Sequence, residues 1–329
     1  ELQKQNALSA EVKASETVWL SVNYPESTVE FKTLGLERPP KTPATQGAVL
    51  ILHDKGQHAD WPQVIRPLRA QLPDSGWYTL AVNLPYERPP AAVERQLPAK
   101  QQDSIVLNEK IKASLSKPNT QAKSSEQDET ETSSELTQET PQSSEEQIEG
   151  AETTDAQDEE QKPVDIDLAE QENSSRANIP YEDQAQAHIK AALEHIQTKS
   201  YQNIVVIAYR NAAELALEHV KPIAAGMSEK GFALIMIDPI LSAAMQEDIS
   251  LALGKDFKAP VLDIVIGAIT SNKATARERA STAATSNAQN FHQVSFAHIG
   301  TDLSQKGLVK RIATWLKVYA PGISKTRGR

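Results

Sequence analysis

Two short stretches hold most of the groups able to do chemistry in this chain. One is "HDKGQHAD", His53–Asp60, which gathers two imidazoles and two carboxylates within eight residues. Zinc sites favour such ligands and usually recruit one more from a distant segment. Here Asp60 is placed to cap a following helix and His53 to close a strand, so no metal site is expected. The other stretch is "AYRNA", Ala208–Ala212, where a strand turns sharply into a helix. Its central residue, Arg210, carries a guanidinium that is always protonated and cannot attack a carbonyl. No Ser, Cys or Asp lies between Ile207 and Ala213. Arg210 at a helix start instead suits an anion, because the first-turn N–H groups also favour negative charge.

The elements that position these residues read as a mostly parallel sheet with crossover helices. "GAVLILH" (Gly47–His53) is a continuous apolar run too short for a helix, hence a strand buried on both faces. Trp61, Val64, Ile65, Leu68 and Leu72 then share one face of a helix capped by Asp60. Pro62 suits its first turn and Pro67 is expected to kink it. "WYTLAVNLP" (Trp77–Pro85) completes a βαβ unit. Ala185, Ile189, Ala192, Leu193 and Ile196 mark a helix before the strand "NIVVIAY" (Asn203–Tyr209). Ala212–Met227 continues as an Ala-rich helix interrupted near Pro222. Further strands fall at Phe232–Asp238, Pro260–Gly267 and Phe291–Ile299, with a helical stretch at Ala243–Leu253. A last helix buries Leu308, Ile312, Trp315, Leu316 and Tyr319. Ahead of these, "VWLSV" and "TVEFKTLGL" alternate apolar and polar residues like an antiparallel edge hairpin.

Charge is spread unevenly. Gln101–Ser175 holds 20 Asp and Glu against 5 Lys and Arg, a local −15 within a chain of −10, so the remainder carries about +5. No aromatic residue occurs between Tyr86 and Tyr181. A segment of this composition buries too little apolar surface to offset its ordering entropy, about 1–2 kcal/mol per residue for the backbone alone. Residues 99–178 therefore read as a disordered acidic insert between two halves of one domain, 1–98 and 179–329. The absence of cysteine excludes disulfides and thiolate chemistry. No apolar run approaches the ~20 residues of a membrane span. The chain begins at Glu1 rather than Met, as removal of a secretory signal or trimming would leave it.

Six parallel-type strands after an antiparallel start, with a sharp corner after the third, resemble the α/β-hydrolase fold. That places the chain in the α/β class, with a mostly parallel central sheet, helices on both faces and an antiparallel N-terminal edge hairpin. "GAVLILHDKGQHADWPQVIRPLRAQLPDSGWYTLAVNLP", followed by a polar insert and "PVLDI", resembles a proteobacterial family of α/β-hydrolase-like proteins of unknown function. The resemblance covers about 17–98 and 181–320. It implies a periplasmic or secreted protein with no assigned substrate.

Against the fold's Gly-x-Ser-x-Gly corner, "AYRNA" keeps small flanking residues and puts Arg210 where the nucleophile belongs. "HDKG" resembles the His-Gly type of oxyanion motif, with Asp54 and Lys55 inserted and Gly56 permitting close backbone approach. By the same resemblance His298 stands where the base is expected, with His292 less well placed. "AITSNKAT" after the seventh strand offers no carboxylate, which leaves Asp238 as a displaced acid and Asp263 within its strand. The expected function is non-catalytic binding of a small molecule or protein in a cleft lined by His53, Lys55, Gly56, Arg210 and His298. Alternatives are an esterase-like hydrolase with an unusual nucleophile or a metal near His53 and His58, and a scaffold acting through the acidic insert. No cofactor is expected, since neither GxGxxG nor GxxxxGKS follows a strand. Nucleic acid is excluded by the lack of a basic stripe with interleaved aromatics.

Overall fold

Every residue of Gly47–Leu52, Trp77–Val82, Ile204–Tyr209 and Phe232–Ile237 is buried, as continuous apolar runs require of a sheet covered on both faces. The computed structural model describes residues 2–24, 31–86, 179–218, 231–245, 259–267, 270–286, 288 and 290–321. The chain divides into a unit made of Glu1–Arg88 and Val164–Arg329, and a second, Pro89–Pro163, that lies outside the described residues. The acidic insert at 99–178, most of the Ala212–Met227 helix and most of the 243–253 stretch also fall outside them.

The sheet has eight strands: β1 (Thr17–Val22), β2 (Phe31–Arg38), β3 (Gly47–Leu52), β4 (Trp77–Val82), β5 (Ile204–Tyr209), β6 (Phe232–Ile237), β7 (Val261–Ile266) and β8 (Phe291–Phe296). Their order is β1-β2-β4-β3-β5-β6-β7-β8. The pairs β1–β2 and β2–β4 are antiparallel and all others parallel. The described helices are α1 (Leu2–Glu11), α2 (Ile65–Gln71), α3 (Tyr181–Thr198), α4 (212–218), α5 (Thr270–Thr285) and α6 (Asp302–Tyr319). Alternate strand residues face opposite ways, so Leu50 and Leu52 pack with α3 and α4 while Val49 and Ile51 pack with α1, α2 and α6. Gly47 is required where β3 meets β5. A Cβ there would overlap the carbonyl oxygen of Asn203, the same oxygen that accepts from Ala48 N at 2.8 Å.

Several local expectations are corrected. Asp60 caps no helix, because α2 starts at Ile65 behind Val64. Its carboxylate instead accepts from Arg66 Nε at 2.7 Å and from Arg69 Nη2 and Nε at 2.6 and 3.2 Å. Pro67 consequently falls in the first turn of α2, where a missing N–H breaks no helical bond, and no kink is needed. Buried Arg69 also donates to Glu16 at 2.7 Å, and Glu16 accepts from Arg38 at 2.8 Å, so one guanidinium ties the chain ahead of β1 to α2. Tyr319 is 41% exposed, and Val309 takes its place in the core. The helices α1 and α5 show no marked apolar stripe in the sequence, and polar contacts help to hold them: Gln5 Oε1 accepts from Leu34 N at 2.8 Å, and Arg279 pairs with Asp263 at 2.9 Å. Among the described residues no helix is long and apolar enough to cross a membrane.

Candidate functional site

The strands β3, β5 and β6 lie side by side, and their registers decide what meets at their C-terminal ends. Leu52 pairs with Ala208, so two residues further on Asp54 stands beside Arg210. Tyr209 pairs with Ile237, so one residue further on Arg210 stands beside Asp238. The three strand ends therefore present carboxylate, guanidinium and carboxylate in a row. Arg210 Nε donates to Asp54 Oδ2 at 2.9 Å, and Arg210 Nη1 donates to Asp238 Oδ2 at 3.2 Å. Both carboxylates are buried, whereas the Arg210 side chain is 36% exposed.

The second oxygen of Asp54 is fully engaged by its surroundings. Oδ1 accepts from the backbone N–H of Lys55 at 2.9 Å, the backbone N–H of Asn211 at 3.1 Å and Asn211 Nδ2 at 2.7 Å. The loop is shaped for this by a turn in which Gln57 N donates to Asp54 O at 3.1 Å. Gly56 stands at its third position with φ +75°, the conformation a type II turn demands there.

Across from it, the corner after β5 is under backbone strain. Arg210 has φ +55° and Asp238 φ +48°, left-handed values that cost side-chain-bearing residues about 1–3 kcal/mol each where the surroundings impose them. The impositions are visible. Arg210 N donates to Ile237 O at 2.9 Å, and Arg210 O accepts from Ala213 N at 3.1 Å and Ile240 N at 3.2 Å. Ala208, Ala212 and Ala213 are buried around the corner. Burial raises the pKa of the neighbouring Tyr209 phenol, with Arg210 opposing the shift.

His53 is a structural residue, which corrects its expected place in a binding cleft. It is 2% exposed, Nδ1–H donates to Asp54 O at 2.8 Å and Nε2 accepts from Leu84 N at 2.8 Å. Both nitrogens are used, and burial lowers its pKa to about 4. Among the described residues no group of three or more His, Cys, Asp or Glu is placed to hold an ion. His58 Nδ1 accepts from Asp60 N at 3.2 Å, its ring meets Trp61 edge-on, and burial lowers its pKa.

Lys55 does not join the guanidinium, since its ammonium sits over the Tyr181 ring, 4.6 Å from the centroid. His298 is exposed beyond β8 and enters none of the bonds around Arg210. His292 packs on Tyr319 with ring centroids 4.1 Å apart. Asp263, fully buried, serves Arg279 and Gln293. Asp238 is the second carboxylate on Arg210. Unforeseen in the sequence was Asn211, which supplies two of the donors to Asp54. The clue available was the strand pairing: three parallel neighbours of known register make residues 54, 210 and 238 adjacent.

The strand order, the crossovers and the strained corner after β5 define an α/β-hydrolase-like protein. Within that class the chain belongs to the family described as "Protein of unknown function (DUF3530)", which it matches over residues 1–318. Among solved structures it is similar to a dienelactone hydrolase from Anabaena variabilis at 15% identity, over 92% of this chain and 98% of that one, with a TM-score of 0.49. It is also similar to a bacterial heroin esterase at 11% identity, over 97% and 90% of the two chains, with a TM-score of 0.48. A third is Est1E from Butyrivibrio proteoclasticus, at 8% identity over 91% and 97%, with a TM-score of 0.47. No curated protein matches the chain.

Proposed function

We propose that this chain is a non-catalytic member of its class, periplasmic or secreted, whose reaction centre has become an ion-pair network and which acts by binding a ligand or partner. The observation that carries the reading is the place of Asp54 Oδ1. Hydrolases of this fold stabilise the oxyanion of their intermediate with the N–H after the nucleophile and an N–H from the loop after the third strand. The corresponding groups here are Asn211 N and a loop amide, Lys55 N, and both donate to Asp54 Oδ1, at 3.1 and 2.9 Å. A substrate oxyanion entering that position meets a carboxylate instead of free donors. Electrostatic stabilisation there is commonly the largest catalytic contribution, about 2.7–4 kcal/mol for one donor.

The nucleophile position tells the same story. Arg210 keeps the strained backbone of a nucleophile corner and supplies a side chain that cannot attack. The corner is not the anion site its arginine advertises, because two carboxylates face one guanidinium and the cluster carries a formal −1. A ligand bound there is one that donates hydrogen bonds or carries positive charge. Purified protein should neither take up a fluorophosphonate label nor hydrolyse short acyl esters above background. Stoichiometric labelling, or turnover that survives purification and vanishes with a single substitution at this corner, overturns the proposal.

A further inference from the structure

We propose that the outward face of α6 seats this protein on an anionic phospholipid surface. The face is cationic along its length. Lys306, Lys310, Arg311 and Lys317 are exposed on it, and among the described residues none of the four is in an ion pair. Lys306, Lys310 and Lys317 form one wall of a shallow groove of ≈ 410 Å³, with Gln71 and Ser75 opposite. The acid in that groove, Asp74, is engaged by Lys41 at 2.8 Å, so its charge is already offset.

The same face is also apolar at its two ends. Leu303 is 82% exposed and Val318 61%, the highest values of any large hydrophobic side chain among the described residues. At about 1.5 Å per residue they stand roughly 22 Å apart, with the cations between them. Helical spacing at 100° per residue puts 303, 306, 310, 317 and 318 within one outward arc. Single exposed aliphatics are ordinary, but two that bracket an unpaired cationic stripe match an interface that is both anionic and oily. A soluble phosphate or an acidic peptide would answer the lysines and leave Leu303 and Val318 in water. A phospholipid surface answers both. Attraction is set by charge within a Debye length, about 8 Å at physiological ionic strength. The helix face therefore governs it more than the chain's overall −10.

The test is co-sedimentation of the full chain with vesicles, one set of phosphatidylglycerol and phosphatidylcholine in equal parts and one of phosphatidylcholine alone. Binding is expected to the anionic vesicles only and to weaken as salt rises. The K306E/K310E/K317E chain should lose at least about a hundredfold in partitioning, given roughly fivefold per cation near such a surface. L303S/V318S should also bind more weakly, and unchanged circular dichroism and melting would show both variants folded. Millimolar inorganic phosphate and polyglutamate should not displace the native chain. The proposal is overturned by absence of binding at low salt, by equal binding of either variant, or by displacement with phosphate or polyglutamate.

Discussion

Asp54 Oδ1 lies 3.1 Å from the backbone nitrogen of Asn211, 157 residues away in the chain. With Lys55 N at 2.9 Å and Asn211 Nδ2 at 2.7 Å, one oxygen closes the gap between the loop after β3 and the corner after β5. The contact fastens two strand ends through two backbone N–H groups and one side-chain amide. On the reading proposed above, stability and the blocked oxyanion position rest on one side chain.

Replacing Asp54 should therefore cost stability. Asp54→Ala leaves Arg210 with Asp238 alone and Asn211 N without its acceptor, a loss of about 2–3 kcal/mol. Asp54→Asn keeps one acceptor oxygen and should fall between the two. Denaturant midpoints at constant m-value measure the order; Asn destabilising more than Ala would break the account.

At Arg210 the comparison of interest is glycine with alanine. Both substitutions remove the guanidinium, but only alanine retains a Cβ at φ +55°. Arg210→Gly should be more stable than Arg210→Ala by about 1 kcal/mol. Equal midpoints would mean that the corner relaxes once the ion pairs are gone. Arg210→Ser restores a hydroxyl but neither a base nor free N–H donors, and should show no esterase turnover.

Arg69 should not tolerate lysine. Its guanidinium serves Asp60 through two nitrogens and Glu16 through a third. An ammonium on a flexible stem cannot hold both carboxylates in that geometry. Arg69→Lys is expected to lower stability by about 1–3 kcal/mol, and an unchanged thermal midpoint would contradict the role given to this bridge.

Acid should weaken the fold in a window set by His53. Burial lowers this histidine from 6.5 to about 4. Above pH 6.5 it is neutral in the folded and unfolded chain alike and contributes no pH dependence. Between 6.5 and about 4 the unfolded chain gains a proton that the folded one refuses, so stability falls as pH falls, with a slope approaching about 1.4 kcal/mol per unit. His58 and His292, also lowered by burial, act with the same sign. Burial raises Glu16 and Glu37, but hydrogen bonds outweigh it: Arg69 and Arg38 lower the first, Tyr78 and His195 the second. These depressed carboxylates lose their contribution only below 4.5, so the range from 6.5 to 4.5 isolates the histidines. His53→Gln retains an acceptor for Leu84 N and should flatten the decline there. Parallel curves for the two chains would show that His53 titrates normally.

Much of the fold could be read from residue patterns because burial on both faces leaves an unmistakable trace. The runs that became β3 to β7 are apolar but for Thr79 and Asp263, since α3 and α4 cover one side and α1, α2 and α6 the other. The helices α1 and α5 left no such trace, being held by Gln5 and Arg279. At the site, Arg210 was readable as a residue that cannot attack. Its partners were not, because whether Asp54 faces solvent, a metal or Arg210 depends on the pairing of Leu52 with Ala208 across the insert. His53 misled for a related reason. An imidazole at a strand end looks available until Leu84 N and Asp54 O are seen to use both its nitrogens.

The central claim is that one carboxylate holds the two N–H groups, and amide NMR of the native and Asp54→Ala chains tests it most directly. The account predicts that the Lys55 and Asn211 amide protons both move upfield and exchange faster in the variant, together with the Arg210 Nε–H. An Asn211 amide whose shift and exchange rate do not respond to removal of Asp54 would contradict it.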